Sequence, residues 1–149
     1  AVTRDGYAIV QEYLPAATKG DLRMITLNGR PLKVADKYAC LHRYSQTDDH
    51  RSNISAGGAA DLVEPTADAL RLAELVGPKL IDDGMYLAGL DIAGDKMMEV
   101  NVDTPGGINF MDDSAKVNFS GAIVDDLERK VRLQKQYAGT LSNRQLAVL

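Results

Sequence analysis

The stretch that decides the fold is MYLAGLDIAGDKMMEVNV, residues 85–102. Two apolar segments, 85–92 and 97–102, flank a short turn that contains glycine and aspartate. This pattern is typical of two antiparallel strands joined by a tight turn. The sequence therefore predicts a β-hairpin here. Any further strands that pair with it must come from the rest of the chain.

Acidic and amide side chains fall on this predicted hairpin at positions that bring them together. Because side chains alternate between the faces of a strand, Met97, Glu99 and Asn101 should share one face. Asp91, on the partner strand, then lies close to them across the ladder. Two carboxylates and an amide oxygen favour Mg²⁺ or Mn²⁺, which take oxygen ligands together with substrate phosphates. The other interpretation is a solvated hairpin edge with scattered acids.

Upstream of the hairpin the pattern is that of more antiparallel sheet. Residues 7–13 are apolar and β-branched enough for a strand, and residues 22–27 alternate as a second strand. Asn28-Gly29 is a strong hairpin signal. A further strand then begins near residue 31 and is predicted to continue to about residue 44.

Helices are predicted before and after the 85–102 hairpin in the sequence. The first begins after Thr66, a good N-cap, and ends at Gly84, a good C-cap. The second is predicted over residues 114–137, and residues 139–149 are predicted to be a loose tail. The apolar face of the second helix would consist of Val124, Leu127, Val131 and Leu133. The fold class predicted is α+β, an antiparallel sheet with helices packed on one face.

Composition excludes several classes of protein. The 149 residues are 45% apolar and 26% charged, with a net charge of −4 and no basic stripe, so a nucleic-acid partner is not indicated. The one cysteine, Cys40, rules out an internal disulfide and is interpreted as a small core residue. The sequence shows no membrane span and no signal peptide, and the cytoplasm is the expected compartment.

Several motifs in one order resemble a known family. In chain order they are Glu12-Tyr13-Leu14-Pro15-Ala16, Gly20-Asp21-Leu22-Arg23, Arg51-Ser52-Asn53-Ile54-Ser55-Ala56-Gly57-Gly58, Val76-Gly77-Pro78-Lys79-Leu80, and Gly89-Leu90-Asp91-Ile92 with Glu99-Val100-Asn101-Val102. Together they resemble the ATP-grasp domain of glutathione synthetase-type ligases, and several motifs in register are more specific than any one. The resemblance implies that residues 1–149 are the C-terminal ATP-grasp subdomain, a fragment that works with N-terminal domains of the same protein on small-molecule substrates. A homo-oligomeric state is left open.

The resemblance also implies roles for individual residues. Adenine would be held by the hinge segment Gln11, Glu12, Tyr13 and Leu14, and by packing on Met97, for which core packing is the alternative. Asp21 corresponds to an acid near the ribose, although a turn-forming aspartate explains it equally well. The phosphates and acyl substrate would contact Arg23, Arg43, Arg51 and Asn53. Magnesium would bind Asp91, Glu99 and Asn101, and the amine substrate would bind Thr104, Pro105, Gly106 and Gly107.

The activity implied is an ATP-dependent carboxylate–amine ligase of glutathione biosynthesis, which forms an amide through an acylphosphate. The loop 104–107 departs from the bacterial glutathione synthetase pattern, so the amine acceptor stays open. Alternatives are another ATP-grasp peptide or amino-acid ligase, a non-catalytic nucleotide- or metal-binding module, and a plain α+β structural domain. The 149-residue chain alone is expected to be inactive.

Overall fold

A computed structural model describes residues 6–8, 10–45 and 59–149 of the chain. Its strands are β1 (Asp21–Leu27), β2 (Arg30–Pro31), β3 (Lys33–Val34), β4 (Lys37–Tyr38), β5 (Cys40–Tyr44), β6 (Ala59–Leu62), β7 (Leu87–Ala93) and β8 (Lys96–Asn101). Its α-helices are α1 (Ala67–Asp83), α2 (Ile108–Ala115), α3 (Phe119–Gln136) and α4 (Asn143–Val148), and a 3₁₀ helix spans Pro15–Lys19.

One antiparallel sheet organises these elements. Its strand order is β6-β5-β1-β7-β8, with β2 paired to the end of β1, while β3 and β4 form a separate two-stranded ribbon. β1 lies in the centre and pairs with both β5 and β7. The predicted α+β class, an antiparallel sheet with helices, is confirmed.

Helices cover both faces of the sheet, not the single face predicted. Met24 and Ile25 are neighbours on β1 and are both fully buried, so they point into separate cores on opposite faces. Met24 packs with residues of α1, and this side is called the α1 face. Ile25 packs with residues of α2 and α3, and this side is called the α3 face. The sequence pattern does not assign a face to each helix, because that depends on the crossover connections.

The first helix agrees with its sequence signals. The Thr66 side chain accepts a hydrogen bond from the Ala69 backbone N–H at 3.1 Å, which satisfies one of the free N–H groups of the first turn. Gly84 ends the helix in the left-handed conformation, with a φ of 71°. Small residues let α1 lie close to the sheet. The buried positions are Ala69, Ala73, Gly77 and Leu80.

The β7–β8 hairpin is present, with one irregularity that the sequence did not predict. Asp91 pairs with Glu99, but the next residue, Ile92, pairs with Met97, so Met98 is an extra residue in β8. Met97 therefore packs against the core of the α1 face. The prediction that Met97 shares a face with Glu99 is wrong, because the bulge shifts the alternation by one residue.

Two strand predictions are corrected. Residues 6–8 and 10–14 lie outside any strand, and Tyr7, Val10 and Tyr13 are 72%, 91% and 66% exposed. A strand needs a partner for its backbone hydrogen bonds, and the described strands do not pair with this segment. The strand predicted over residues 31–44 is divided among four short strands, and Ala35 and Asp36 adopt positive φ values that turn the chain between β3 and β4.

The second predicted helix is also corrected. It is two helices, because Lys116 adopts a left-handed conformation at the end of α2 and Asn118 caps the start of α3. Val124, Leu127 and Val131 are exposed on α3, whereas the side that packs on the sheet contains Phe119 and Ile123.

The C-terminal segment is not the loose tail that was predicted. Residues 143–148 form α4, which begins with a capping box between Ser142 and Gln145. Lys130 donates from α3 to the Leu146 carbonyl oxygen at 2.8 Å, so α4 is held against the preceding helix.

Cys40 is a core residue, as predicted. It is fully buried, and burial, with a smaller effect of Glu64, raises the pKa of its thiol to about 12. The thiol therefore stays protonated at neutral pH. Over the described ranges, the helices fall short of the length and apolar character needed to cross a bilayer.

The close packing of α1 on the β1–β2 turn gives a stability test. A Cβ atom at Gly77 would lie 2.6 Å from the Gly29 carbonyl oxygen. We predict that Gly77→Ala lowers the free energy of unfolding by about 1–3 kcal/mol, because overpacking outweighs the helix preference of alanine. Urea unfolding measures this. Glu74→Ala, at an exposed site of the same helix, should stay within about 0.5 kcal/mol of the parent, and equal values for both variants would contradict the packing argument.

Candidate functional site

Four charged side chains are buried together on the α3 face of the sheet. Asp21, Arg23, Arg43 and Asp91 are between 3% and 8% exposed. The strand register brings them together, since Asp21 pairs with Arg43 across β1 and β5, and Arg23 pairs with Asp91 across β1 and β7. Two positive and two negative groups thus balance one another within one buried cluster, named here the buried charge cluster.

The contacts in this cluster form a continuous chain. Arg23 donates with both Nε and Nη2 to the Asp91 carboxylate, the Nη2–Oδ2 distance being 2.7 Å. Arg43 Nη2 lies 3.0 Å from the same Asp91 Oδ2 and also binds Asp21 Oδ2. Arginine suits this arrangement, because its planar guanidinium presents several donors to carboxylate oxygens.

The electrostatics of Arg43 follow from this geometry. Burial by itself lowers the pKa of the Arg43 guanidinium, but Asp21 and Asp91 together raise the pKa above its ordinary value. Arg43 is therefore charged at every physiological pH.

A glycine on the neighbouring strand makes room for Arg23. A Cβ atom at Gly89 would lie 3.1 Å from Arg23 Cδ and 3.0 Å from Pro105 Cβ. The Arg23 side chain consequently passes between β7 and the loop that follows β8. Its Nη1 reaches to 3.5 Å from the Gly106 carbonyl oxygen, so this arginine links the buried charge cluster to the loop at 104–107.

The three predicted metal ligands lie on the same face of the hairpin. Asp91 pairs directly with Glu99, and Asn101 Nδ2 lies 3.3 Å from Asp91 Oδ2. Glu99 is exposed and Asp91 is buried. The register thus places the three residues on one face, with Asn101 in contact with Asp91, and their role as metal ligands stays a prediction. In the described segments, three or more His, Cys, Asp or Glu side chains do not come together as a complete metal site.

The donor set still fits magnesium. Mg²⁺ usually takes one or two protein carboxylates, and substrate phosphates and water complete its six oxygen ligands. Glu99 offers a carboxylate open to solvent, and the Asn101 amide and Asp91 lie beside it. These residues are the ones that would hold a magnesium ion, which would neutralise phosphate charge.

A cavity of about 310 Å³ lies next to the turn of the β7–β8 hairpin. Its lining residues are Gln11, Glu12, Tyr13, Leu14, Ala17, Thr18, Lys96, Met97 and Met98. The structure thus brings the predicted hinge segment and Met97 together around one space, although that segment is not a strand. Lys96 Nζ lies 3.3 Å from Glu12 Oε2, an exposed contact across this cavity.

A second cavity, of about 440 Å³, lies at the loop after β8. Its lining includes all four residues predicted for the amine substrate, Thr104, Pro105, Gly106 and Gly107. Gly107 adopts a φ of 99° just before α2, a conformation that favours glycine. The loop therefore turns sharply beside Arg23.

The sequence did not predict the contact of Asp21 with Arg43. Two other predicted site residues fall outside the part of the chain that the structure describes. Asp21 contacts Arg43, and the prediction that it lies near a ribose remains a prediction. Its burial was not visible in the sequence, although Asp21 and Arg23 alternate on one strand and so share a face. Arg51 and Asn53 lie outside the described residues.

Comparison with known proteins places this arrangement in a class. Residues 1–116 match the family described as prokaryotic glutathione synthetase, ATP-grasp domain. The glutathione synthetase of Escherichia coli K12 is 35% identical over 130 residues, which is 87% of this chain and 39% of that protein. The glutathione synthetases of Buchnera aphidicola and Vibrio parahaemolyticus are 32% and 30% identical, each over 85% of this chain and 38% of their own length.

The sheet and its helices are thus part of an ATP-grasp domain. The chain belongs to the prokaryotic glutathione synthetase ATP-grasp family. It spans about 39% of the length of the Escherichia coli relative that it matches.

The buried charge cluster predicts that neutralising two acids of the hairpin lowers the free energy of unfolding by different amounts. We expect Asp91→Asn to lower the free energy of unfolding by about 3 kcal/mol, because it leaves two buried guanidinium groups short of negative charge. Glu99→Gln should change it by less than about 0.5 kcal/mol, since Glu99 is exposed. Urea unfolding of both variants measures the difference, and similar costs would contradict the cluster's structural role.

Proposed function

We propose that the chain supplies the magnesium site and part of the ATP site of an ATP-dependent carboxylate–amine ligase of glutathione synthetase type. The observation that carries the proposal is the placement of Asp91, Glu99 and Asn101 on one face of the hairpin beside two buried arginines, in a chain of this family. The proposal extends to the cytoplasm as compartment and to N-terminal domains of the same protein as partners, and the greater length of the relatives is consistent with such domains.

The proposed reaction has two steps. A substrate carboxylate oxygen attacks the γ-phosphorus of ATP, ADP leaves, and an acylphosphate forms. The nitrogen of an amine then attacks the acyl carbon, the bond to the phosphate oxygen breaks, and the nitrogen loses a proton. Covalent participation of the protein is not needed, so its contribution is positioning and charge neutralisation.

Each part of the described structure has a place in this proposal. The cavity lined by Gln11–Leu14 and Met97 would receive the adenine, and its partly apolar wall suits a planar base. Arg23 and Arg43 would bind oxygens of the transferred phosphoryl group with their planar forks. Magnesium at Glu99, Asn101 and Asp91 would offset the charge of the β- and γ-phosphates.

The loop cavity would hold the amine. It borders Arg23 through the Gly106 carbonyl oxygen, so an amine bound there would be near the group that binds the phosphoryl oxygens. The acyl donor would be a γ-glutamyl dipeptide if the chemistry follows the names of the relatives. The alternative, another ATP-grasp peptide or amino-acid ligase, would use the same phosphate site with a different loop.

The first functional prediction concerns Glu99. In the proposed ligase with its N-terminal domains, we expect ATP-, dipeptide- and amine-dependent release of ADP, and a loss of about 100-fold in kcat for Glu99→Gln, because a metal ligand is removed while folding is spared. Asp95→Asn, in the exposed turn of the same hairpin, is the matched control and should retain activity.

Two results would overturn this assignment. The proposal fails if Glu99→Gln and Asp95→Asn have the same activity. The 149-residue chain by itself is expected to be inactive and to bind ATP weakly. Turnover of substrate by this chain alone would contradict the proposed need for N-terminal domains.

The second functional prediction concerns the cavity near the turn. Met97→Ala should raise the KM for ATP about fivefold with little change in kcat, because loss of about 1 kcal/mol of apolar contact weakens ground-state binding. Val102→Ala, at an exposed position just after β8, serves as the control. An unchanged KM for Met97→Ala would contradict the placement of adenine in this cavity.

A further inference from the structure

The Asp91 carboxylate is already occupied by the arginines that the proposed function assigns to phosphate. Its Oδ2 has nitrogen atoms of Arg23, Arg43 and Asn101 at 2.7, 3.0 and 3.3 Å, and Arg23 Nε binds its Oδ1. A carboxylate oxygen has two lone pairs, so these three donors fill Oδ2, whereas Oδ1 keeps one lone pair beside the Arg23 guanidinium. A divalent cation at Asp91 would also lie beside two guanidinium charges, which repel it.

Glu99 is in the opposite situation. It pairs with Asp91 across the ladder but is exposed, whereas Asp91, Arg23 and Arg43 are buried. The two acids of the candidate metal site therefore differ in state. Glu99 is open to a cation from solvent, and Asp91 is held by its arginine partners.

Arg43 has a second carboxylate to which it can remain bound. Asp21 accepts hydrogen bonds from Arg43 Nε and Nη2, so Arg43 can release Asp91 and stay anchored in the sheet. Arg23 Nη1, which does not contact Asp91, lies 3.5 Å from the Gly106 carbonyl oxygen. Each guanidinium group therefore keeps a contact within the site if it releases Asp91.

We infer that Arg23 and Arg43 block Asp91 until a phosphate group arrives, and that phosphate and metal therefore bind cooperatively. Phosphate oxygens compete with Asp91 for the guanidinium groups, and the released Asp91 completes the metal site with Glu99 and Asn101. This inference rests on the proposed function, because it assumes that the three side chains bind a divalent cation. Asp21 is then a positioning residue for Arg43.

The block is tested by titrating the full chain with Mn²⁺ alone. Electron paramagnetic resonance measures the Mn²⁺ that remains free, and the bound Mn²⁺ follows by difference. The parent should bind Mn²⁺ weakly, and Arg23→Lys should bind it about tenfold more tightly, because lysine keeps the charge but loses the two-pronged contact with Asp91. Arg43→Lys is a second variant should the first fail to fold. Arg71→Lys, on the exposed side of α1, is the matched control and should bind as the parent does.

The outcomes separate the inference from the function on which it rests. If Mn²⁺ binding is lost in Glu99→Gln but is equally tight in the parent and in Arg23→Lys, the metal site stands and the block is overturned. If Glu99→Gln leaves Mn²⁺ binding unchanged in both the parent and Arg23→Lys, both the metal site and the block are overturned.

The phosphate half of the inference has its own readout. In metal-free buffer, inorganic tripolyphosphate should shift the ¹⁵N–¹H resonance of Arg23 Nε, because this N–H exchanges a carboxylate acceptor for a phosphate acceptor. An Arg23→Lys sample assigns the resonance. A resonance that stays in place while other site signals respond to tripolyphosphate would contradict the exchange.

Discussion

The structure depends on one constraint, the balance of charge inside the α3 face of the sheet. Buried ionised groups are costly unless each has partners of opposite charge with good geometry. Asp21, Arg43, Asp91 and Arg23 meet this requirement only as a set, because each arginine and each aspartate contacts a member of the other kind across neighbouring strands. The order of β5, β1 and β7 in the sheet is therefore tied to the chemistry of the site.

The buried charge cluster and the two cavities share one hairpin. The β7–β8 hairpin carries Asp91 at its middle and the walls of the first cavity at its turn, and the loop after β8 forms the second cavity. Arg23 reaches Gly106 in the wall of the second cavity because Gly89 leaves space for its side chain. Under the proposed function, the base, the metal and the reacting carboxylate would therefore lie along one hairpin.

How much the sequence could predict differs between local and long-range features. The helix between Thr66 and Gly84 follows from local capping chemistry, and it was predicted correctly. The bulge at Met98 was not predictable, because an apolar segment gives no sign of one inserted residue. The Asp21–Arg43 contact was missed for a different reason: its register depends on turns at residues 35–36, where residues other than glycine adopt positive φ. The segment 7–13 has the composition of a strand, but composition does not supply a pairing partner.

The central claim is that Arg23 and Asp91 act as one buried unit. A double-mutant cycle measured by urea unfolding of the parent, Arg23→Gln, Asp91→Asn and the double variant tests it most directly. The account predicts that the sum of the two single losses exceeds the loss in the double variant by at least about 1 kcal/mol. Additive losses, within about 0.5 kcal/mol, would show that the two side chains do not depend on each other and would contradict the account.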